Sequence, residues 1–303
     1  MPYKNIVLAG ATGNFGPAIL NALATSNLFT ITVLTRSDSK PLSLPSGVAS
    51  VEVDYTSVEN LTAALTNASA EAVVSVIPPP AAKAQENLIH AAVAAGVKRF
   101  LPSEFGSDLD IEINRTAPTF KTKVEAQELL KGLAGENKIS YTFVYNGLCL
   151  DWGLQGGFPV SVAEKKVALF DGGERVYSTS TLGAIGKGVV SILSDRSEET
   201  ANRSVRISEA QTTAKELLSI AQGVVGAEGW EISERSIDEE VNEAWEKLKA
   251  GTFGHDDIFP FIHRAIWGEG AGGLFGETDN ELLGIKVLDK EGLKEIVEGV
   301  AGK

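Results

Sequence analysis

Asn5-Ile6-Val7-Leu8-Ala9-Gly10-Ala11-Thr12-Gly13-Asn14-Phe15-Gly16 is the stretch on which the reading of this chain turns. A short apolar run, Asn5–Ala9, leads straight into glycines at positions 10, 13 and 16, and a helical pattern opens at Pro17. The spacing has a physical meaning. Gly10 permits a tight turn, Gly13 lets the backbone approach a pyrophosphate, and Gly16 allows close packing of helix on strand. Unpaired N–H groups at the helix start then offer an anion site. Gly10, Ala11, Thr12, Gly13, Asn14, Phe15 and Gly16 therefore read as a dinucleotide-binding loop.

Outward from that loop the first 150 residues alternate regularly. Apolar, β-rich runs occur at Asn5–Ala9, Thr30–Leu34, Ala49–Val53, Ala72–Ile77, Arg99–Pro102 and Tyr141–Tyr145. Helical patterns at Pro17–Ala24, Val58–Leu65, Ala81–Ala95 and Thr119–Leu133 separate them. Continuous apolar strands joined by helices predict an α/β fold, a Rossmann-type doubly wound parallel sheet covered on both faces. Residues 1–150 are expected to form the dinucleotide-binding domain and 151–303 a smaller α/β substrate lobe. After Tyr145 the rhythm breaks, and Gly147, Gly153, Gly156 and Gly157 around Trp152 read as a loop. Val167–Phe170 and Val176–Thr179, flanking Asp171-Gly172-Gly173, read as a hairpin. Thr213 with Glu216 and Ser236 with Glu239 read as helix starts, and the glycine-rich Gly268–Gly276 as a mobile segment.

Composition narrows the partners. The 303 residues carry 27 basic against 40 acidic side chains, a net charge of −13, with 43% hydrophobic and 22% charged residues. This is an ordinary globular balance. Its acidity argues against nucleic acid and anionic membrane as partners. The single cysteine, Cys149, excludes an intrachain disulfide and suits a reducing compartment. The apolar run at the start is too short for a secretory signal or a membrane span, so a cytoplasmic protein is expected.

The end of the second strand selects the cofactor. An NAD site places a carboxylate there for the ribose 2′-hydroxyl. Here Thr35, Arg36 and Ser37 follow, with Lys40 close behind and Asp38 lying past the strand end. An arginine can grip a 2′-phosphate bidentately and stack on adenine, so the expected cofactor is NADPH. Asp54, after the third strand, has two readings, a contact to the adenine edge or a helix cap.

With Gly10–Gly16, Arg36 and Val97-Lys98-Arg99-Phe100-Leu101-Pro102-Ser103-Glu104-Phe105-Gly106 in view, the chain resembles a known group. It is similar to the isoflavone-reductase-like and NmrA-like branch of the atypical short-chain dehydrogenases, which includes phenylcoumaran benzylic ether and pinoresinol–lariciresinol reductases. The resemblance runs from Asn5 to about Tyr145 and returns weakly near Gly284–Leu293, where the family has its last strand and helix. It implies an NADPH-dependent oxidoreductase that delivers hydride to an aromatic or conjugated small molecule, working as a monomer or homodimer. By the same resemblance Ser75, Val76, Ile77, Pro78, Ser103, Glu104 and Phe105 border the cofactor. Phe105, Tyr145, Asn146, Gly147 and Trp152 would wall the substrate.

The family places a general acid/base lysine in a Lys-x-Lys-Val motif. Phe120-Lys121-Thr122-Lys123-Val124 matches it, so the resemblance assigns that role to Lys121, beside both cofactor and substrate. Glu125 and Ala126 replace the paired arginines that usually follow. Residues two apart on a helix point about 200° apart, so Lys121 and Lys123 cannot both face one cleft. A plain surface pair of Lys121 with Glu125, one turn on, is the competing assignment. No tyrosine has a lysine four residues later, so the Tyr-x-x-x-Lys mechanism of ordinary short-chain dehydrogenases is absent. A substrate role is open to His255 and His263, whereas metal-ligand spacing is lacking. The alternative function is a non-catalytic NmrA-like sensor that binds a dinucleotide and acts through a protein partner.

Overall fold

Ile6, Val7, Leu8 and Ala9 are each no more than 1% exposed, which only a strand covered on both faces allows. Their side chains alternate between two cores. Ile6 and Leu8 join Ile19, Leu23, Ile185 and Val189 on one face. Val7 and Ala9 join Leu61, Leu65, Leu88 and Leu130 on the other. The computed structural model describes residues 2–37, 43–78 and 81–302.

The first half runs β1 (Asn5–Ala9), α1 (Gly16–Ser26), β2 (Thr30–Thr35), β3 (Ala49–Glu52), α2 (Val58–Asn67), β4 (Ala72–Ser75), α3 (Ala82–Ala94) and β5 (Arg99–Leu101). It continues with α4 (Glu112–Arg115), α5 (Lys121–Gly135), β6 (Ser140–Tyr145), β7 (Leu148–Cys149) and α6 (Leu150–Gln155). The second half holds β8 (Val160–Ser161), β9 (Lys166–Phe170), β10 (Tyr177–Ser180), α7 (Leu182–Leu193), β11 (Arg203–Arg206), β12 (Ala210–Thr212) and α8 (Ala214–Val225). The chain ends with β13 (Glu231–Arg235), α9 (Ile237–Lys249), α10 (Phe259–Trp267), α11 (Asn280–Leu283) and α12 (Lys290–Ala301).

Among the described residues the main sheet has seven strands in the order β11-β6-β5-β4-β1-β2-β3. Every pairing in it is parallel. This is the doubly wound fold that the strand and helix rhythm predicts. The order reverses between β1 and β4, and open α/β sheets bind ligands at such a switch point, beyond the carboxyl ends of the strands.

The second half departs from its sequence reading in four places. The strands flanking Asp171–Gly173 do not form a hairpin: β9 pairs with β8 and β13, while β10 pairs with β7 and β12. The stretch around Trp152 is not a loop but the short helix α6. The segment 268–276 is tied down, with Ser178 N donating to Gly273 O and Phe275 N to Ser178 Oγ. The chain returns to the main sheet through β11, whereas residues 284–289 form no strand. The two predicted helix starts do cap, since Thr213 accepts from Glu216 N and Ser236 from Glu239 N.

Candidate functional site

Gly10 has φ +91°, and a Cβ there would lie 2.7 Å from the carbonyl oxygen of Val76. Only glycine takes that turn without strain. A Cβ on Gly16 would overlap the backbone of Gly10 and Ala11, so α1 starts as close to β1 as the chain allows. Pro17 stands in the first turn of α1, which carries no acidic residue. By contrast α9 begins with Asp238, Glu239 and Glu240. The free N–H groups at the start of α1 thus present positive potential that no local carboxylate cancels.

A cleft of about 650 Å³ opens beside this loop, at the carboxyl ends of β1 to β4. Gly10, Ala11, Thr12 and Gly13 line one side. Thr35, Arg36 and Ser37 line a second, with Asp54 and Tyr55 after β3 and Ile77 and Pro78 after β4. Lys40 and Asp38 lie outside the described residues. Asp54 does not cap α2, a task taken by Ser57 through Asn60 N at 3.1 Å. Its Oδ1 instead accepts from Thr56 N at 2.8 Å and Thr56 Oγ1 at 2.7 Å, which holds its carboxyl below the usual range. Burial pushes the Tyr55 phenol up, and the nearby charge of Arg36 opposes that shift.

Other expected cofactor residues lie off the cleft. Asn14, Phe15, Ser75 and Val76 do not line it. Buried Ser75 donates from Oγ to Gln85 Oε1 at 3.0 Å, and Ser103 N donates to the same oxygen at 2.8 Å. That shared acceptor ties the end of β4 to the loop after β5. Phe105 takes φ +35°, unusual for a bulky residue, and packs its ring 5.8 Å from that of Phe15.

The helix after that loop decides between the two lysines. Ala126, Gln127 and Leu130 are the buried positions of α5, and Lys123 shares their face at three-, four- and seven-residue spacing. Lys123 Nζ donates to the main-chain carbonyl of Glu104. Lys121 points away, its side chain 76% exposed and 3.9 Å from Glu125. The structure therefore does not bring Lys121 to the loop; the lysine it brings there is Lys123. Burial lowers the proton affinity of Lys123, against the pull of Glu104. Burial also pushes the Glu104 carboxyl up to about 7, which Lys123 and Gln127 oppose.

Residues 2–243 match the NmrA-like family. The chain belongs to that family. A Penicillium oxalicum relative named oxidoreductase poxI is 32% identical across 99% of this chain and 94% of its own length. A second, oxidoreductase aprR of Aspergillus flavus, is 28% identical across 97% of this chain and 99% of its own. Among solved structures, AtPrR2 with NADP+ and (+)-pinoresinol shares the fold with a TM-score of 0.74. It is 19% identical and covers 99% of this chain and 100% of its own. Leucoanthocyanidin reductase of Vitis vinifera with NADPH has a TM-score of 0.73 and 20% identity, covering 98% and 99%.

In this NmrA-like chain the expected substrate wall is only partly assembled. Phe105, Tyr145 and Asn146 are buried, and Asn146 N and Gly147 N both donate to Gly106 O at 3.1 Å. Phe105 packs in one apolar core with Phe15, and Tyr145 in the other. Tyr145 OH accepts from Gln127 Nε2 at 3.0 Å and donates to Asp110 Oδ1 at 3.3 Å. Arg206 of β11 clamps Asp108 at 2.7 Å and Asp110 at 3.0 Å. Trp152 stands apart on α6, 41% exposed, and His263 is buried against Glu240 at 2.8 Å. The sequence reading missed Lys123, Gln127, Asp108, Asp110 and Arg206. The acids of Ser107-Asp108-Leu109-Asp110, after Phe105-Gly106, were the available signal for two of them.

Proposed function

We propose that this NmrA-like protein is an NADPH-dependent reductase acting on an aromatic or conjugated small molecule. The observation that carries the reading is the cleft that joins the glycine loop, Arg36 and Ile77-Pro78 at the sheet's switch point. The turn at Gly10 and the acid-free start of α1 fit a pyrophosphate. Arg36 fits a 2′-phosphate; residues 30–37 themselves carry no carboxylate, and the acids that line the same cleft, Glu52 and Asp54, come from β3 and the turn after it. The names of the relatives support an oxidoreductase, and the NADP+ and NADPH bound to two structural neighbours support the cofactor.

NADPH, when bound, supplies a hydride. The chain supplies the rest. The glycine loop and Arg36 hold the phosphates, and Lys123 moves a proton to or from a substrate oxygen. Lys123 takes the role that resemblance assigns to Lys121, because only Lys123 lies inside the fold beside the Ser103–Gly106 loop. A desolvated lysine is suited to that exchange near neutral pH. The proposal includes a cytoplasmic monomer or homodimer with no nucleic-acid or membrane partner. No helix among the described residues is long and apolar enough to cross a membrane.

Fluorescence titration with NADPH and NADH, on the wild type and on Arg36→Ala, tests the cofactor assignment. The wild type should prefer NADPH by about 10- to 100-fold, the worth of a charge-assisted phosphate contact, and the variant should lose that preference. Equal binding of both dinucleotides by the wild type would overturn the assignment. Burial of Phe105, Tyr145 and Asn146 favours a second reading, the dinucleotide sensor. Tight NADPH binding without NADPH oxidation across carbonyls, enones and benzylic phenols would select it.

A further inference from the structure

Glu104 holds a carboxyl group that the fold leaves without a hydrogen-bond partner. The residue is 2% exposed, and both Oε1 and Oε2 are buried and unpaired. Buried polar atoms are nearly always satisfied, so an orphaned carboxyl in a packed loop calls for a cause. The groups that face it come from several elements. Lys123 and Gln127 approach from α5, Tyr145 from the end of β6, Arg115 from α4 and Asp110 from the segment before it. Most of these are engaged elsewhere. Gln127 donates to Tyr145 and accepts from Arg115 Nη1 at 2.7 Å, and its amide pulls on the Glu104 carboxyl from outside hydrogen-bond geometry, while Asp110 is held by Arg206. Lys123 is the exception, since its amine is held by Glu104's own carbonyl.

We propose that Glu104 is the positioning residue for Lys123, its carbonyl aiming the amine and its carboxyl sharing with that amine one exchangeable proton. This rests on the reading of Lys123 as the proton-handling group. The shared proton starts on Glu104, as a carboxylic acid beside the neutral amine, and passes to Lys123, leaving a carboxylate and an ammonium. Lys123 then gives one proton to the substrate oxygen, an N–H bond breaking as the O–H bond forms, and the amine and carboxylate left behind take one proton back from solvent after release. The arrangement works because burial drives both groups toward their neutral forms, so neither holds the proton too firmly to pass it on.

The test is NMR of the full chain labelled with [13Cε]lysine, with Lys123 assigned through Lys123→Arg. Glu104→Gln should move the Lys123 titration to lower pH by at least about one unit, because the amine loses its negative partner. Conversely, in carboxyl-labelled Lys123→Met the Glu104 titration should move up by about the same amount. An unmoved partner in both variants overturns the proposal, and the second variant decides if the first does not fold. NADPH oxidation separates this from the underlying reading. Full turnover in Lys123→Met removes the catalytic lysine and the inference with it. Lost turnover with uncoupled titrations removes only the role of Glu104.

Discussion

The amino-terminal half and the carboxyl-terminal lobe reach order by different means. In the first, most strands are followed by a helix that packs back on the sheet, and β1 to β6 lie in one parallel sheet. In the second, two three-stranded sheets are assembled from segments far apart in the chain, β13 pairing with β9 in the register Glu231 to Lys166. Their shared anchor is an aromatic cluster. Trp267 stacks on Phe170 at 4.7 Å and meets Phe158 at 5.4 Å and Tyr177 at 5.5 Å. The lesson is that a local fold presents an open cleft on a stiff edge, whereas a non-local lobe depends on a few large side chains.

That contrast breaks most readily at Trp267, which is 1% exposed. Trp267→Ala should lower stability by about 3–5 kcal/mol through the cavity it leaves, measured by urea unfolding. NADPH affinity of the folded variant should stay unchanged. A matching loss of NADPH affinity would show that the cleft depends on the lobe after all.

The reverse dissociation is expected at Gly10. An alanine there must adopt φ +91° with its Cβ 2.7 Å from the carbonyl of Val76. Gly10→Ala should lower stability by about 1–3 kcal/mol through backbone strain. It should also weaken NADPH binding by more than that loss of stability alone would, as seen by titration below the unfolding midpoint. Wild-type affinity in a folded Gly10→Ala protein would remove the loop from the phosphate site.

The same contrast governs what the amino-acid sequence discloses. Six strands of the main sheet lie where the β-rich runs place them, the inner ones buried and apolar and the edge strand β3, Ala49-Ser50-Val51-Glu52, largely exposed. The seventh strand, Arg203-Ser204-Val205-Arg206, has one apolar residue, because it lies at the edge beside β6 and its arginines reach Asp279 and Asp108. No run marks such a strand. The hairpin reading at Asp171–Gly173 failed for a related reason. Turn chemistry is local, but the partners of β9 and β10 are set by packing across the lobe. At the candidate site, the places of the glycine loop and Arg36 beside the cleft were legible because they follow from position in a βαβ unit. The two lysines were not. Resemblance placed Lys121, while the phase of α5 follows the burial of Ala126, Gln127 and Leu130, and a buried glutamine is invisible to an apolar pattern.

The smallest expected effect sharpens the comparison by pH. His263 is 7% exposed, lies 4.3 Å from the ring of Phe170, and pairs with Glu240, which also meets Arg235 at 2.5 Å. Burial lowers its proton affinity more than Glu240 restores it, so the folded value falls below the ordinary 6.5. Above that pH the ring is neutral in both folded and unfolded chains, and its contribution does not vary. Below it the unfolded chain takes up a proton that the folded lobe resists, and stability is lost as pH falls toward the folded value. The slope cannot exceed about 1.4 kcal/mol per pH unit for one such group. Urea midpoints of the wild type and His263→Gln between pH 7 and pH 5 should therefore converge as the pH drops. Parallel curves would show that Glu240 keeps the imidazole as easily protonated in the lobe as in water, and that the aromatic cluster excludes less solvent than its burial indicates.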